Sequence, residues 1–203
     1  MWNTAHALMG NLLPLVVVFP LLTWAGREMV LSGLNPKTWQ IIGIAVAGSW
    51  LAVNFLALPG NQRMRHALRK RHESQRPHDE RPRWFVGFAR PSFRGLLDPH
   101  EDVGYLIIDP EEIEFEGETK HVRILKSEIV RISTKWNPHT YIGLGRWVAI
   151  EGVRNGHPIQ MLVEPRDRWT LLGNFITTFK LRRTLQNWLG PSNRPRAGAR
   201  GRR

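Results

Sequence analysis

Residues 39–71 read WQIIGIAVAGSWLAVNFLALPGNQRMRHALRKR. The first twenty, Trp39 to Leu58, contain no ionisable side chain, and a helix rising about 1.5 Å per residue crosses a hydrocarbon core about 30 Å thick in that length. Pro59 and Gly60 then end the helix, and basic residues follow at once. Positive charge marks the cytoplasmic ends of membrane helices. The segment therefore predicts a span with its C-terminal end, and the rest of the chain, on the cytoplasmic side.

A second apolar stretch precedes this span, from about residue 5 to residue 25, and Pro14 and Pro20 interrupt it. Because membrane helices tolerate proline as a kink, we expect a first, bent span. Residues 1–58 are then a transmembrane hairpin with both termini cytoplasmic. The alternative is a cleaved signal peptide, although no Lys or Arg precedes the apolar run. In either case the second span directs the remaining residues to the cytoplasm.

Small residues recur on one stripe of the second span. A helix with such a stripe allows close approach of another helix, which is either the first span or a helix of a different protein. Asn11 and Asn54 would lie at similar depth in an antiparallel pair, where they either hydrogen-bond to each other or find separate partners. The residues predicted to pack in the membrane are Ala45, Gly48, Ser49, Ala52, Asn11 and Asn54.

The formal net charge of +12 is concentrated in two segments. Residues 59–83 have eight basic and three acidic side chains, and residues 190–203 have five arginines and no acid, whereas residues 84–189 are nearly neutral. This distribution favours contact with anionic lipid and predicts no nucleic-acid partner; solvated charge that only fixes topology is the alternative. The predicted headgroup contacts are Arg63, Arg65, Arg69, Lys70, Arg71, Arg200, Arg202 and Arg203.

Sequence periodicity changes from residue 84 onward to the alternation of β-strands. In EIEFEG, residues 112–117, Ile113 and Phe115 are predicted to point inward while Glu112, Glu114 and Glu116 face water. Asn155-Gly156 is a strong hairpin signal. Strands are expected at 84–88, 103–109, 112–117, 121–125, 129–136, 147–153 and 158–163. Residues 76–83, RPHDERPR, have no apolar side chain and predict the end of a basic linker that covers residues 59–83.

A helix is predicted over residues 168–189, with Asp167 near its cap. It has two separate apolar faces. Leu172, Phe175, Ile176 and Phe179 are expected to pack on the sheet. The second face either packs on the same domain after a bend or docks on a partner; its residues are Leu181, Leu185, Trp188 and Leu189.

The order of these elements resembles the pleckstrin-homology and GRAM superfold, in the form tethered to bacterial membrane spans. The resemblance rests on VGYLIIDPEEIEFEG, on HVRILKSEIVRI and on the closing helix from Trp169, and covers residues 84–189. It implies an α+β fold, an antiparallel β-sandwich or barrel of six or seven strands closed by a C-terminal helix. It also implies a role in docking to lipids, peptides or proteins without catalysis. Acidic residues occupy the first strand-loop-strand in place of the basic cluster of phosphoinositide-binding members.

Catalytic motifs and thiol chemistry are not expected. The chain has no cysteine, which excludes disulfides and cysteine-ligated metals, and it has no nucleophile elbow, P-loop or HExxH motif. The one compact polar loop consists of Asp98, His100, Glu101 and Asp102, which would serve a metal or an acid and base only in a distant alternative. No cofactor is predicted. Residues 190–203 are expected to form a disordered tail.

These observations predict a non-catalytic accessory or scaffolding subunit in a bacterial cytoplasmic membrane, bound to other integral membrane proteins. The alternative is a sensor of anionic lipids that acts through the basic segments at 59–83 and 190–203.

Overall fold

The computed structural model describes residues 4–58, 60–77, 79, 81–92 and 100–190. Two antiparallel helices come first: α1 (Thr4–Ser32) and α2 (Pro36–Leu56). A turn at Gly33, where φ is +64°, joins them. The Asn35 side chain accepts a hydrogen bond from the Thr38 amide at 3.0 Å and Pro36 is the first helical residue, so Asn35 is the N-terminal cap of α2.

Both helices are long and apolar enough to cross a membrane. Their mutual contact uses small residues: Ala45 packs with Ala25 and Ile41 in one buried cluster. A Cβ atom added at Gly48 would lie 2.9 Å from Leu21 Cδ1, so this position favours glycine. The small-residue stripe of α2 therefore contacts α1.

Seven antiparallel strands follow a third helix, α3 (Asn61–Gln75), in the order β4-β3-β2-β1-β7-β6-β5. The strands are β1 (Arg83–Ala89), β2 (Asp102–Ile108), β3 (Glu112–Gly117), β4 (His121–Leu125), β5 (Ile129–Lys135), β6 (Trp147–Arg154) and β7 (His157–Pro165). The β6–β7 turn has φ of 51° at Asn155 and 79° at Gly156, as a type I′ turn requires, and this prediction is confirmed.

The sheet is open, unlike the predicted sandwich or barrel, because its end strands β4 and β5 do not pair with each other among the described residues. It is curled, since residues of β4 and of the β6–β7 hairpin line one groove of about 660 Å³. One core fills the concave side, and every strand contributes to it; its residues include Phe88, Leu106, Ile113, Phe115, Ile124, Ile129, Ile150 and Met161. On the opposite face Met64 and Leu68 of α3 pack against Phe85 and Tyr105.

The C-terminal helix, α4 (Leu171–Leu189), closes the concave core. Its cap is Thr170, whose Oγ1 accepts from the Gly173 amide at 3.1 Å, so the helix begins three residues after the predicted start at Arg168. Asp167 instead pairs with Arg65 at 3.4 Å. The structure has the predicted α+β architecture of two apolar helices, an antiparallel sheet and a closing helix.

The second apolar face of α4 packs on its own domain, which is the first of the two alternatives. Leu181, Leu185 and Leu189 lie in the concave core, and Trp188 packs against it and donates from Nε1 to the Asp109 carbonyl at 2.7 Å. The alternative in which these four residues dock on a partner is therefore not the arrangement observed. The face predicted to pack on the sheet does not do so: Ile176 and Phe179 are exposed, and Leu172 packs with Leu58 and Leu171. The inward stripe instead includes buried Asn174 and Thr178, whose polar groups bond within α4 and to Arg168.

Candidate membrane and partner interface

The sheet is attached to the end of α2 by three side chains. The Asn54 Oδ1 atom accepts a hydrogen bond from the Leu172 amide at 2.8 Å. Trp50 Nε1 donates to the Ile142 carbonyl at 3.1 Å, and the Phe55 ring lies 5.1 Å from the Trp169 ring. The first bond supplies an acceptor to one of the unpaired amides in the first turn of α4.

An apolar cluster lies next to these contacts. Leu58, Leu144 and Leu171 are its buried members, and Val53 and Ala57 pack against it. Because residues from α2, the β5–β6 loop and α4 share this cluster, the sheet and the helix pair form one packed unit at this point. Asn54 Oδ1 accepts from the Leu172 amide here. The predicted contact between Asn54 and Asn11 involves an Asn11 side chain that lies outside the described part of the chain.

The basic helix α3 extends this attachment along the outer face of the sheet. The Asn61 amide group donates to the Arg166 carbonyl at 2.9 Å, and the Tyr105 hydroxyl donates to the Arg65 carbonyl at 3.1 Å. Burial raises the pKa of Asp167 above its usual range, and the attraction of Arg65 opposes that rise. Arg65 is therefore a structural partner of the sheet.

The other predicted lipid contacts on α3 differ in their availability. Arg69 pairs with Glu73 at 2.7 Å, one helical turn away. Arg63, Lys70 and Arg71 are exposed and remain available to an external anion. Arg200, Arg202 and Arg203 lie outside the described residues.

Arg76 and Arg81, in the segment predicted as part of a linker, are attached to the sheet by ion pairs with Glu114. This carboxylate is 1% exposed and accepts hydrogen bonds from His121 at 2.6 Å, Arg123 at 3.0 Å and Arg76 at 3.3 Å. Burial raises the pKa of Glu114, but these hydrogen bonds outweigh it and bring the pKa to about 2. The prediction that Glu114 faces water is wrong, because the cationic side chains cover it.

The polar loop before β2 has structural roles in the described residues. His100 Nε2 lies 3.0 Å from a Glu164 carboxylate oxygen, and both side chains are buried. Asp102 accepts from the amides of Thr119 and Lys120 at 2.9 and 2.7 Å, which holds the β3–β4 turn. Asp98 lies outside the described residues. Within those residues no group of three or more His, Asp or Glu side chains converges on a metal position.

Large apolar side chains remain exposed next to the attachment point. On α2 they are Ile44, Val46, Leu51 and Phe55, and beyond the Phe55–Trp169 contact they are Trp169, Ile176 and Phe179. Trp136, Tyr141 and Ile142 are exposed on the β5–β6 loop. Sequence reasoning did not select these loop residues, and the one signal available was the high tryptophan content, nine in 203 residues. No protein-family model matches this chain, and no curated protein sequence matches it.

Proposed function

We propose that this protein is a non-catalytic accessory subunit of an integral membrane assembly, anchored by α1 and α2 and carrying its sheet on the cytoplasmic side. The proposal that α1 and α2 are a membrane anchor rests on the exposure of their apolar side chains. Apolar side chains of α1 and α2 point outward along most of both helices, including Leu15, Val16, Phe19, Ile44 and Leu51. Water disfavours such surface by about 25 cal/mol per Å², whereas hydrocarbon accommodates it.

One observation carries the subunit proposal: the exposed apolar face of α4. Ile176 is 62% exposed and Phe179 is 44% exposed, one helical turn apart. Trp169, joined to Phe55 of α2, stands at the start of this face. Exposed apolar patches of this kind mark interaction sites. A partner with both a membrane helix and a cytoplasmic part would cover the α2 and α4 surfaces together.

The relationship to membrane-tethered pleckstrin-homology-like domains is part of the same proposal. Seven antiparallel strands closed by a C-terminal helix support it. The His100 and Asp102 side chains hold parts of the fold together, as described above, and this is consistent with a docking role.

Mild-detergent extraction of the tagged full-length protein, followed by size separation, tests the proposal. We expect the wild type to migrate with stoichiometric membrane partners, and the Ile176→Asp and Phe179→Asp variants to migrate alone. Val153→Asp is the matched control, because Val153 is 47% exposed near the far end of β6 and should keep the complex. A wild-type protein that migrates alone would refute the subunit proposal.

A second candidate function, sensing of anionic lipid, is favoured by the exposed cations Arg63, Lys70 and Arg71 directly after the apolar helix. Under this alternative, replacing all three with Gln would abolish the preference of reconstituted full-length protein for phosphatidylglycerol over phosphatidylcholine. Arg131→Gln, at an exposed cation on β5, is the control. An unchanged lipid preference in the triple variant would reject a sensor function of these α3 cations.

A further inference from the structure

The segment Trp136–Ile142, here called the aromatic loop, connects β5 to β6 and presents apolar side chains outward. Tyr141 is 80% exposed and Trp136 is 65% exposed. Their rings contact each other edge to face, with centroids 5.6 Å apart and an interplanar angle of 73°. Ile142 beside them is also exposed. Two aromatic rings and an aliphatic side chain at one tip form a surface that water solvates poorly.

The position of this loop along the axis of α2 is fixed. The hydrogen bond from Trp50 Nε1 to the Ile142 carbonyl ties the loop to a residue six positions before Leu56, the last residue of α2. At 1.5 Å per residue the loop is therefore attached about 9 Å before the end of the helix. It lies beside the last two turns of α2 and not beyond them.

The loop keeps its shape through its own hydrogen bonds. The Thr140 amide donates to Asn137 Oδ1 at 2.9 Å, and the Asn137 amide donates to Thr140 Oγ1 at 2.9 Å. Thr140 Oγ1 also lies 2.7 Å from the Gly145 carbonyl. Because the conformation is already formed, the aromatic rings can meet a surface with little further loss of backbone entropy.

The surroundings have the composition of a membrane boundary. Trp169 is exposed and packs on Phe55, and Arg168 beside it is exposed. Trp and Tyr are enriched where the headgroups meet the acyl chains, because their rings combine an apolar body with a polar edge. Cations beside them are attracted to anionic headgroups.

We propose that the aromatic loop inserts into the headgroup–acyl boundary of the leaflet from which α2 emerges, so that a lipid surface is its partner. This inference rests on the proposed function, in which α2 crosses the bilayer. The Asn54–Leu172 bond and the α3 contacts attach the sheet to the helices, and insertion of the loop would attach it to the bilayer as well. The sheet is then held at one height and one orientation relative to the bilayer, and α4 is presented at a defined position to a neighbouring subunit.

Depth-resolved quenching on the full-length protein tests the proposal. The chain has no cysteine, so each introduced cysteine is a unique labelling site. Tyr141→Cys and, separately, Trp136→Cys carry a small fluorophore in phosphatidylcholine–phosphatidylglycerol vesicles with spin-labelled lipids. Val46→Cys in the middle of α2 reports the span itself. Val153→Cys, about 20 Å along β6 from Trp147, is the negative control.

The expected result is strong quenching at position 46 by a quencher deep in the acyl chains. At positions 141 and 136 a shallow quencher should act several-fold more strongly than it does at position 153. Quenching at 46 together with equal, weak quenching at 141, 136 and 153 would overturn loop insertion while leaving the anchor intact. Absence of quenching at 46 would overturn the membrane span and the inference with it.

Discussion

Truncating Leu185 to Ala should destabilise the protein strongly, whereas truncating Ile176 to Ala in the same helix should not. Leu185 is fully buried in the concave core, and Ile176 is 62% exposed. Removing a fully buried Leu side chain costs its transfer free energy plus the cavity left behind, about 3 to 4 kcal/mol in total. Replacing exposed Ile with Ala loses little burial and gains helix propensity, so the change should stay within about 0.5 kcal/mol.

Urea unfolding of the full-length protein in a mild detergent, followed by near-ultraviolet circular dichroism, measures both effects. With a slope of about 2 kcal/mol per M, the Leu185→Ala midpoint should fall by about 1.5 to 2 M. The Ile176→Ala midpoint should coincide with that of the wild type. Equal losses in the two variants, or a larger loss for Ile176→Ala, would refute the assignment of the buried face of α4.

Three further predictions concern the sheet and its attachment. Glu114→Gln should lower the stability above about pH 4.5, and the variant should lose less stability than the wild type as the pH falls from about 4.5 toward 2. The reason is that the folded protein holds the pKa of Glu114 at about 2 against an ordinary value of 4.5; acid titration of the unfolding midpoint measures this, and an unchanged acid profile would contradict it. Gly104→Ala should destabilise the protein by about 3 kcal/mol, because its Cβ atom would lie 2.2 Å from the Glu116 carbonyl oxygen in the adjacent strand. Gly43→Ala, with open space around it, is the control and should be tolerated in the same urea assay. Equal tolerance of the two substitutions would contradict the β2–β3 register. Asn54→Leu should raise hydrogen exchange at the Leu172 amide, as read by mass spectrometry, and Asn54→Asp, which keeps an acceptor, should not; identical exchange in both variants would show that the bond is dispensable.

Local patterning in the sequence was sufficient to predict most elements of the fold. The alternation in EIEFEG placed Ile113 and Phe115 inward, and both are buried in the core. The Asn155-Gly156 turn and the Asn35 cap follow from rules that involve a few neighbouring residues. Such signals need no knowledge of distant parts of the chain, so a single sequence suffices for them.

The burial of Glu114 depends in part on residues far away in the sequence, which local patterning does not identify. Its partners His121 and Arg123 belong to the adjacent strand β4, but Arg76 and Arg81 are more than thirty positions upstream. The exposure of Ile176 and Phe179 was not predicted either. The inward stripe contains Asn174 and Thr178, which are polar but form hydrogen bonds locally, so hydrophobicity alone did not identify it.

Only part of the interface beside α2 could be predicted from the sequence. The small residues predicted a close helix contact, but nothing in the local pattern indicated that Trp50 and Asn54 bond to the β5–β6 loop and to α4. Those contacts join residues about 90 and 120 positions apart. They are tertiary consequences of the fold, and a sequence without its structure carries no direct signal for them.

The central claim, that the exposed α4 face binds a membrane partner, is tested most directly by site-specific photocrosslinking in native membranes. A photoreactive amino acid placed at Ile176 should give one adduct of defined mass with an integral membrane protein. The same residue placed at Val153 should not give that adduct. Adducts only with lipid at Ile176, or the same protein adducts at both positions, would contradict the claim.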